Sequence, residues 1–219
     1  MMQMRKMVSN SNAVLLLVLL VLSLAGCQQE SAGTSSAGSS ASHGVDDVKD
    51  KVLKHLKDKV DSSAVVDFPF VDGWSNPDKR PLPRNGLSVA YNHKSGMTAT
   101  VYQYSGGLAS VPDDIQSGAV LDEFANSRAG LKQAVEAGVY DDLVLEDEDI
   151  VSLGDSAVKT HWASYLVQRE GASIATEIFV WTHKNQFFKL RLSTSPKRTE
   201  ADKASLGELF TAIGEATSS

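Results

Sequence analysis

The sequence predicts an α+β domain built on an antiparallel sheet of about six strands with helices on both faces. Three segments, 157–168, 173–183 and 186–193, read as strands separated only by short turns, as in an antiparallel meander. Both faces of this meander are rich in apolar side chains. A sheet that is apolar on both sides needs cover on both sides, and segments with helical periodicity precede and follow the meander.

The two turns fix the expected register of the meander. With Glu170-Gly171 as one turn, Trp162 lies opposite Phe179, and with Lys184-Asn185 as the next, Phe179 lies opposite Leu190. One face then collects Trp162, Leu166, Phe179, Trp181, Phe188, Leu190 and Leu192. The other collects Ala163, Tyr165, Val167, Ile174, Ile178, Val180 and Phe187.

The N-terminus has the pattern of a bacterial export signal, predicted to span residues 1–26. Arg5 and Lys6 form a short positive region, and Ala13–Leu22 is an apolar run of ten residues. As a helix this run would be about 15 Å long, roughly half the thickness of a bilayer core, so a membrane-spanning helix is not expected. The small residues Ala25-Gly26 then precede Cys27, the only cysteine of the chain.

Residues Leu24-Ala-Gly-Cys27 resemble the lipobox of bacterial lipoproteins. The resemblance covers residues 1–27 and implies cleavage before Cys27, with diacylglycerol on its thiol and an acyl chain on the new amine. Because Gln28 rather than an Asp follows, it further implies the periplasmic face of the outer membrane in a Gram-negative organism. With a single membrane, the outer leaflet of the plasma membrane replaces this location. The alternative is an ordinary secretory signal with an incidental cysteine.

Residues 27–44 are rich in Ser, Ala and Gly and predict a flexible tether with a reach of roughly 20–25 Å. Residues 45–219 are then expected to form a single globular domain, which lacks cysteine and depends on an ordinary hydrophobic core. Removing the signal removes Arg5 and Lys6 and changes the formal net charge from −6 to −8. An acidic protein is a poor candidate for nucleic-acid binding. We expect it to contact the membrane through the lipid on Cys27.

The domain is predicted to begin with an amphipathic helix over Val45–Val60. Its apolar positions recur near the helical period, with Asp and Lys on the other face. They are Val45, Val48, Val52, Leu53, Leu56 and Val60. This helix either packs on the domain or lies on the membrane or a partner.

Prolines then predict a looping segment before the sheet. They are Pro69, Pro77, Pro81 and Pro83. Lys79, Arg80 and Arg84 form a small cationic cluster in this segment, which we interpret as a solvated loop.

Two strands, Leu87–Tyr91 and Thr98–Tyr104, are predicted next, followed by a helix that Ser110 caps and that ends near Gly138. Its inward residues are expected to be Ile115, Val120, Phe124, Leu131 and Val135.

Leu143–Leu153 predicts a strand interrupted by the acidic run 146–149. This run could suggest calcium, but it lacks the glycine of a wrapping loop, so a charged edge strand is favoured.

Thr199 and Asp202 are predicted to cap a final helix. Its inward residues are expected to be Ala201, Leu206, Leu209, Phe210 and Ile213.

No sequence motif for catalysis or cofactor binding occurs, so we assign no catalytic, cofactor-binding or metal-binding residue. His161 and His183 fall on opposite faces in the expected register, which excludes a shared metal. Six aromatic residues could line an apolar pocket, although plain core is the simpler interpretation. They are Trp74, Tyr91, Tyr102, Tyr104, Trp162 and Trp181.

The order of elements over about residues 65–217 resembles the PsbP-like α/β/α sandwich, which includes small bacterial lipoproteins of the DcrB type. That fold hosts non-catalytic accessory and binding proteins. The resemblance therefore implies a lipid-anchored envelope protein whose domain binds a protein partner or an apolar ligand. The alternative is an envelope lipoprotein hydrolase whose site is not visible in the sequence.

Overall fold

The computed structural model describes residues 66–83 and 86–218. The predicted signal and tether, Cys27, the predicted helix over residues 45–60 and Arg84 lie outside this part. Within it the strands are β1 Asp78–Leu82, β2 Gly86–Asn92, β3 Thr98–Tyr104, β4 Asp142–Ser152, β5 Lys159–Arg169, β6 Ala172–His183 and β7 Gln186–Thr194. The helices are α1 Gly118–Glu136, between β3 and β4, and α2 Glu200–Ser218, after β7.

The strands form one antiparallel sheet in the order β1-β2-β3-β7-β6-β5-β4, which confirms the α+β class. The expected register of the meander is also confirmed, with Trp162 opposite Phe179 and Phe179 opposite Leu190. Positive φ at both turn positions explains this tight register. Glu170 and Gly171 have φ of 51° and 77°, and Lys184 and Asn185 have 46° and 65°. Such turns match the twist of the paired strands.

The two helices pack on opposite faces of the sheet, and each covers a different part. α1 contacts mainly β6 and β4, whereas α2 packs on β2, β3, β6 and β7 from the other side. The α1-side core contains Val120, Phe124, Leu131, Ala163, Tyr165, Val167, Ile178, Val180 and Phe187. The α2-side core contains Val89, Tyr91, Ala99, Val101, Phe179, Trp181, Phe188, Leu190, Leu192, Leu206, Leu209 and Ile213. Leu166, expected in the core, is only half-buried beside the exposed Val144 of β4.

The proline-rich segment contains a strand, so the prediction of loop alone was wrong. β1 pairs with β2 and forms one edge of the sheet, with Pro81 opposite Leu87. An edge strand pairs on one side only, and it therefore tolerates a residue that has no N–H to donate. Lys79 and Arg80 lie on this strand and pair with Asp67 and Asp78 at 2.9 and 2.6 Å.

The helix α1 starts later than predicted. Its N-cap is Ser117, whose hydroxyl accepts from the Val120 amide, and not Ser110. Tertiary contacts prevent an earlier start, because Val111 is buried and its N–H donates to the side chain of Asn185 in the β6–β7 turn. The end near Gly138 is confirmed: its φ is 71° and its N–H donates to Val135.

The capping of α2 is as predicted. The Thr199 hydroxyl accepts from the Asp202 amide at 3.1 Å, and the Asp202 carboxylate accepts from the Thr199 amide at 3.0 Å. Leu206, Leu209 and Ile213 are buried, but Ala201, expected to face inward, is exposed.

The acidic strand β4 forms the second edge of the sheet, as predicted. The acidic run does not interrupt it; the register shifts by one residue between Leu145 and Asp147. Three aspartates on β4 accept a hydrogen bond from the amide of the next residue. Asp142, Asp147 and Asp149 bind the amides of Leu143, Glu148 and Ile150 at 2.8, 2.8 and 2.7 Å.

Candidate binding site

The six aromatic residues named from the sequence lie on both faces of the sheet. Trp74, Tyr91 and Trp181 are buried on the α2 side, where Trp162 also packs. Tyr102 and Tyr104 point to the other face, because they alternate with the buried Val101 along β3. The six therefore do not line one shared pocket.

The two tyrosines on the α1 side belong to a cluster of aromatic and cationic side chains. The Lys189 Nζ lies 5.0 Å from the ring centroid of Tyr102 and 5.6 Å from that of Tyr104. The Arg191 guanidinium lies 5.9 Å from the ring centroid of Tyr140 and donates to its hydroxyl. We call Tyr102, Tyr104, Tyr140, Lys189 and Arg191 the cation–tyrosine cluster.

Strand pairing positions the cluster. Lys189 and Arg191 are two residues apart on β7 and so project from the same face, about 7 Å apart along the strand. Tyr102 lies opposite Lys189 on the neighbouring β3. Tyr140 comes from the turn that follows α1, which the Tyr140 amide anchors by donating to Ala134.

The cluster borders a part of the sheet that α1 does not cover. On this side β2 and β3 carry small and polar residues, which are half-buried or exposed and have no described helix above them. We call these residues, Ser88, Ala90, Asn92, Thr98 and Thr100, the open surface. The boundary is marked by Glu123 of α1, whose carboxylate accepts from the Tyr104 hydroxyl at 2.5 Å.

Burial sets the electrostatics of the cluster. It lowers the pKa of Lys189, an effect that the charge of Glu123 opposes and that of Arg191 reinforces. Burial also raises the pKa of Tyr102, and it raises that of Tyr104 well above 10, with Glu123 adding to the rise. Tyr102 and Tyr104 therefore keep their protons at neutral pH and remain able to donate hydrogen bonds.

The cations of the cluster are not matched by carboxylates. Within residues 66–83 and 86–218, neither Lys189 nor Arg191 forms an ion pair. The carboxylate that acts on Lys189, Glu123, is already bound to the hydroxyls of Tyr104 and Ser127. The cluster thus holds two cations near one carboxylate, that of Glu123.

A contact between a serine and a histidine also bears on the hydrolase alternative. The Ser95 hydroxyl lies 2.8 Å from the His93 Nδ1, which also accepts from the Ser95 amide at 3.2 Å. Asp202 hydrogen-bonds to the side chain of Ser95 as well. In a catalytic triad the acid orients the histidine. Here the acid and the histidine both contact the serine, and the charge of His93 also acts on Asp202.

The histidines considered for a metal are separated by the sheet. His161 is buried on the α1 side, where its Nε2 lies 2.9 Å from the Ile115 carbonyl oxygen and its ring stacks on Phe124. His183 alternates with Trp181 and so projects to the α2 side. In the described part of the chain, no group of three or more His, Cys, Asp or Glu could hold a metal ion.

Neither described helix is long and apolar enough to cross a membrane. No family model matches the chain, and no curated protein matches it.

Sequence reasoning missed Lys189, Arg191, Tyr140 and Glu123. One signal was present: in the expected register, Lys189 and Arg191 lie opposite Val180 and Ile178 on a face otherwise interpreted as apolar. Charged residues on such a face indicate either a buried ion pair or a binding site.

Proposed function

We propose that this chain is a lipid-anchored cell-envelope protein whose domain is a non-catalytic binding or accessory module. The pattern around Cys27 supports the anchor, and a Ser/Ala/Gly-rich tether suits a domain held close to a membrane. The observation that favours binding is the cation–tyrosine cluster, where partly buried cations without carboxylate partners border an open part of the sheet. The two-sided α+β architecture is consistent with a PsbP-like sandwich, which we include in the proposal.

The anchor is tested by metabolic labelling with an alkyne fatty acid. We expect the label on the wild type and none on Cys27→Ser, which should also keep its signal peptide. Ser23→Ala, outside the lipobox, is the matched control and should be labelled normally. Undiminished label on Cys27→Ser would contradict the anchor.

The location is tested by fractionating the membranes. In a Gram-negative host we propose the outer membrane, on the periplasmic side, because Gln28 follows the cysteine. Gln28→Asp should then shift the protein to the inner membrane. Wild-type protein in the inner-membrane fraction would refute this assignment; in a host with one membrane the outer leaflet replaces it.

The second candidate is an envelope hydrolase, favoured only by the contact between Ser95 and His93. Ester hydrolysis by the purified protein tests it. A module that only binds should show no rate above that of Ser95→Ala or His93→Ala. A rate that both substitutions remove would establish the hydrolase and contradict the non-catalytic proposal.

A further inference from the structure

We propose that Lys189 and Arg191 bind an oxyanion, a carboxylate or phosphate group of a ligand, on the open surface. This inference deepens the proposed binding function by naming the ligand's chemistry and the residues that recognise it.

The first argument is charge. Partly buried cations are normally paired, because an ion taken from water loses its hydration. Elsewhere in the described chain this rule holds: Arg198 pairs with Glu177, and Arg128 pairs with Glu148 at 2.5 Å. Lys189 and Arg191 depart from it, and an anionic ligand would supply the missing countercharge.

The second argument is the set of donors. The guanidinium has five N–H groups, and one nitrogen donates to Tyr140. The Lys189 ammonium contacts aromatic rings in place of an oxygen acceptor among the described residues. The Tyr102 hydroxyl, kept protonated by burial, lies on the strand opposite Lys189. Carboxylate and phosphate groups have several acceptor oxygens and suit such donors.

The third argument is access. Lys189, Arg191 and Tyr102 are half-buried, and the neighbouring residues of the open surface are small. Thr100 lies opposite Arg191 and brings a hydroxyl to the same area. Among the described residues, a ligand can therefore approach from the β2 side, while α1 limits the site on the other.

The site is tested by titrating the mature chain, residues 27–219 carrying Cys27→Ser, with inorganic phosphate and, separately, with acetate, followed by NMR and calorimetry. We expect millimolar binding of at least one anion, with shifts confined to the cation–tyrosine cluster and the open surface. Lys189→Met and Arg191→Met should each weaken binding at least about tenfold. Lys94→Met is the matched control, since it removes an exposed cation outside the cluster and should change the affinity less than about twofold.

Circular dichroism and thermal melting establish that each variant is folded. Arg191→Lys keeps the charge but loses the planar fork, and it should retain part of the affinity. Binding of both anions that is unchanged in the Lys189→Met/Arg191→Met double variant would overturn the proposal. Absence of binding at tens of millimolar would overturn it as well. Neither result would affect fatty-acid labelling at Cys27, so a failure here is distinguishable from a failure of the anchor.

Vesicles separate two sources of the same group. Binding to phosphatidylglycerol but not phosphatidylcholine vesicles, lost in the double variant, would identify the phosphate as that of a lipid headgroup. Phosphate or acetate binding without vesicle binding would identify a soluble ligand.

Discussion

Replacing Arg198 with Met should destabilise the domain by removing the partner of a buried carboxylate. Glu177 is 6% exposed and projects from β6 to the α2 side. One carboxylate oxygen pairs with Arg198, and the other accepts from the Trp162 indole N–H at 2.9 Å. Arg198 also donates to the Thr194 hydroxyl at 3.0 Å. The pair therefore joins β5, β6 and β7 to the residue that precedes the cap of α2.

The expected cost follows from the exposure of the two partners. Removing one member of a fully buried ion pair costs about 3–5 kcal/mol, because an unpaired charge stays behind. The side chain of Arg198 is 23% exposed, so water partly reaches the pair and we expect about 2–3 kcal/mol. For a domain of this size that corresponds to a melting temperature lower by about 4–12 °C.

Urea unfolding followed by tryptophan fluorescence measures this cost, and a second variant tests its cause. In the Glu177→Gln/Arg198→Met double variant the buried charge is gone, while the amide oxygen still accepts from Trp162. The double variant should therefore be at least about 1 kcal/mol more stable than Arg198→Met alone. A loss below about 0.5 kcal/mol in Arg198→Met, or no recovery in the double variant, would refute the reasoning.

Three further predictions concern other charged residues. Lys189→Met should raise stability by about 0.5–1 kcal/mol in a thermal melt at neutral pH, because burial opposes the charged form. Since the folded pKa of Lys189 is lowered, the wild type should gain stability as the pH rises from that pKa to 10.5, and the gap should close; a constant gap would contradict this. Hydrogen bonds from the Thr199 side chain and then its backbone lower the pKa of Asp202 below 3.8. The stability advantage over Asp202→Ala should therefore be complete above that pH and decrease as the pH falls through the lowered pKa; an advantage that does not change in acid would disprove the assignment. Finally, three aspartates of β4 accept hydrogen bonds from edge amides, and replacing all three with alanine should free these amides and cause self-association, measured by light scattering. Replacing all three with asparagine, whose side chain still accepts a hydrogen bond, should leave a monomer. Equal association of both triple variants would show that charge alone protects the edge. The three aspartates are Asp142, Asp147 and Asp149.

The parts of the fold that depend on local signals were predicted well. The meander register followed from two-residue turns and strand alternation, because a slip of one residue would turn every apolar side chain to the other face. The capping of α2 likewise involves residues three positions apart, Thr199 and Asp202. Each of these features is encoded within a few residues.

The errors arose where distant contacts override a local pattern. Pro81 locally disfavours a strand, but this residue lies in the edge strand β1, where a proline is tolerated. Only the strand order shows that β1 lies at an edge of the sheet. Ser110 fits a helix cap locally, but the bond between Val111 and Asn185 holds this segment out of the helix.

The cation–tyrosine cluster could not be predicted for the same reason. It needs β3 to pair with β7, which is distant in sequence, and the turn after α1 to bring Tyr140 over Arg191. Spacing within the sequence predicts neither contact.

The environments of Arg198 and Arg191 distinguish a charge with a structural role from a charge that we assign to binding. Arg198 has a carboxylate and a hydroxyl as partners, and the pair joins three strands to a helix, so its role is explained by stability. Arg191 and its neighbour Lys189 have aromatic rings and one tyrosine hydroxyl, at the border of a surface that α1 does not cover. Cation–π contacts compensate for only part of the hydration free energy that a cation loses on burial. Because the fold alone gains little from these two cations, an anion that binds them is the better explanation for their place on this face.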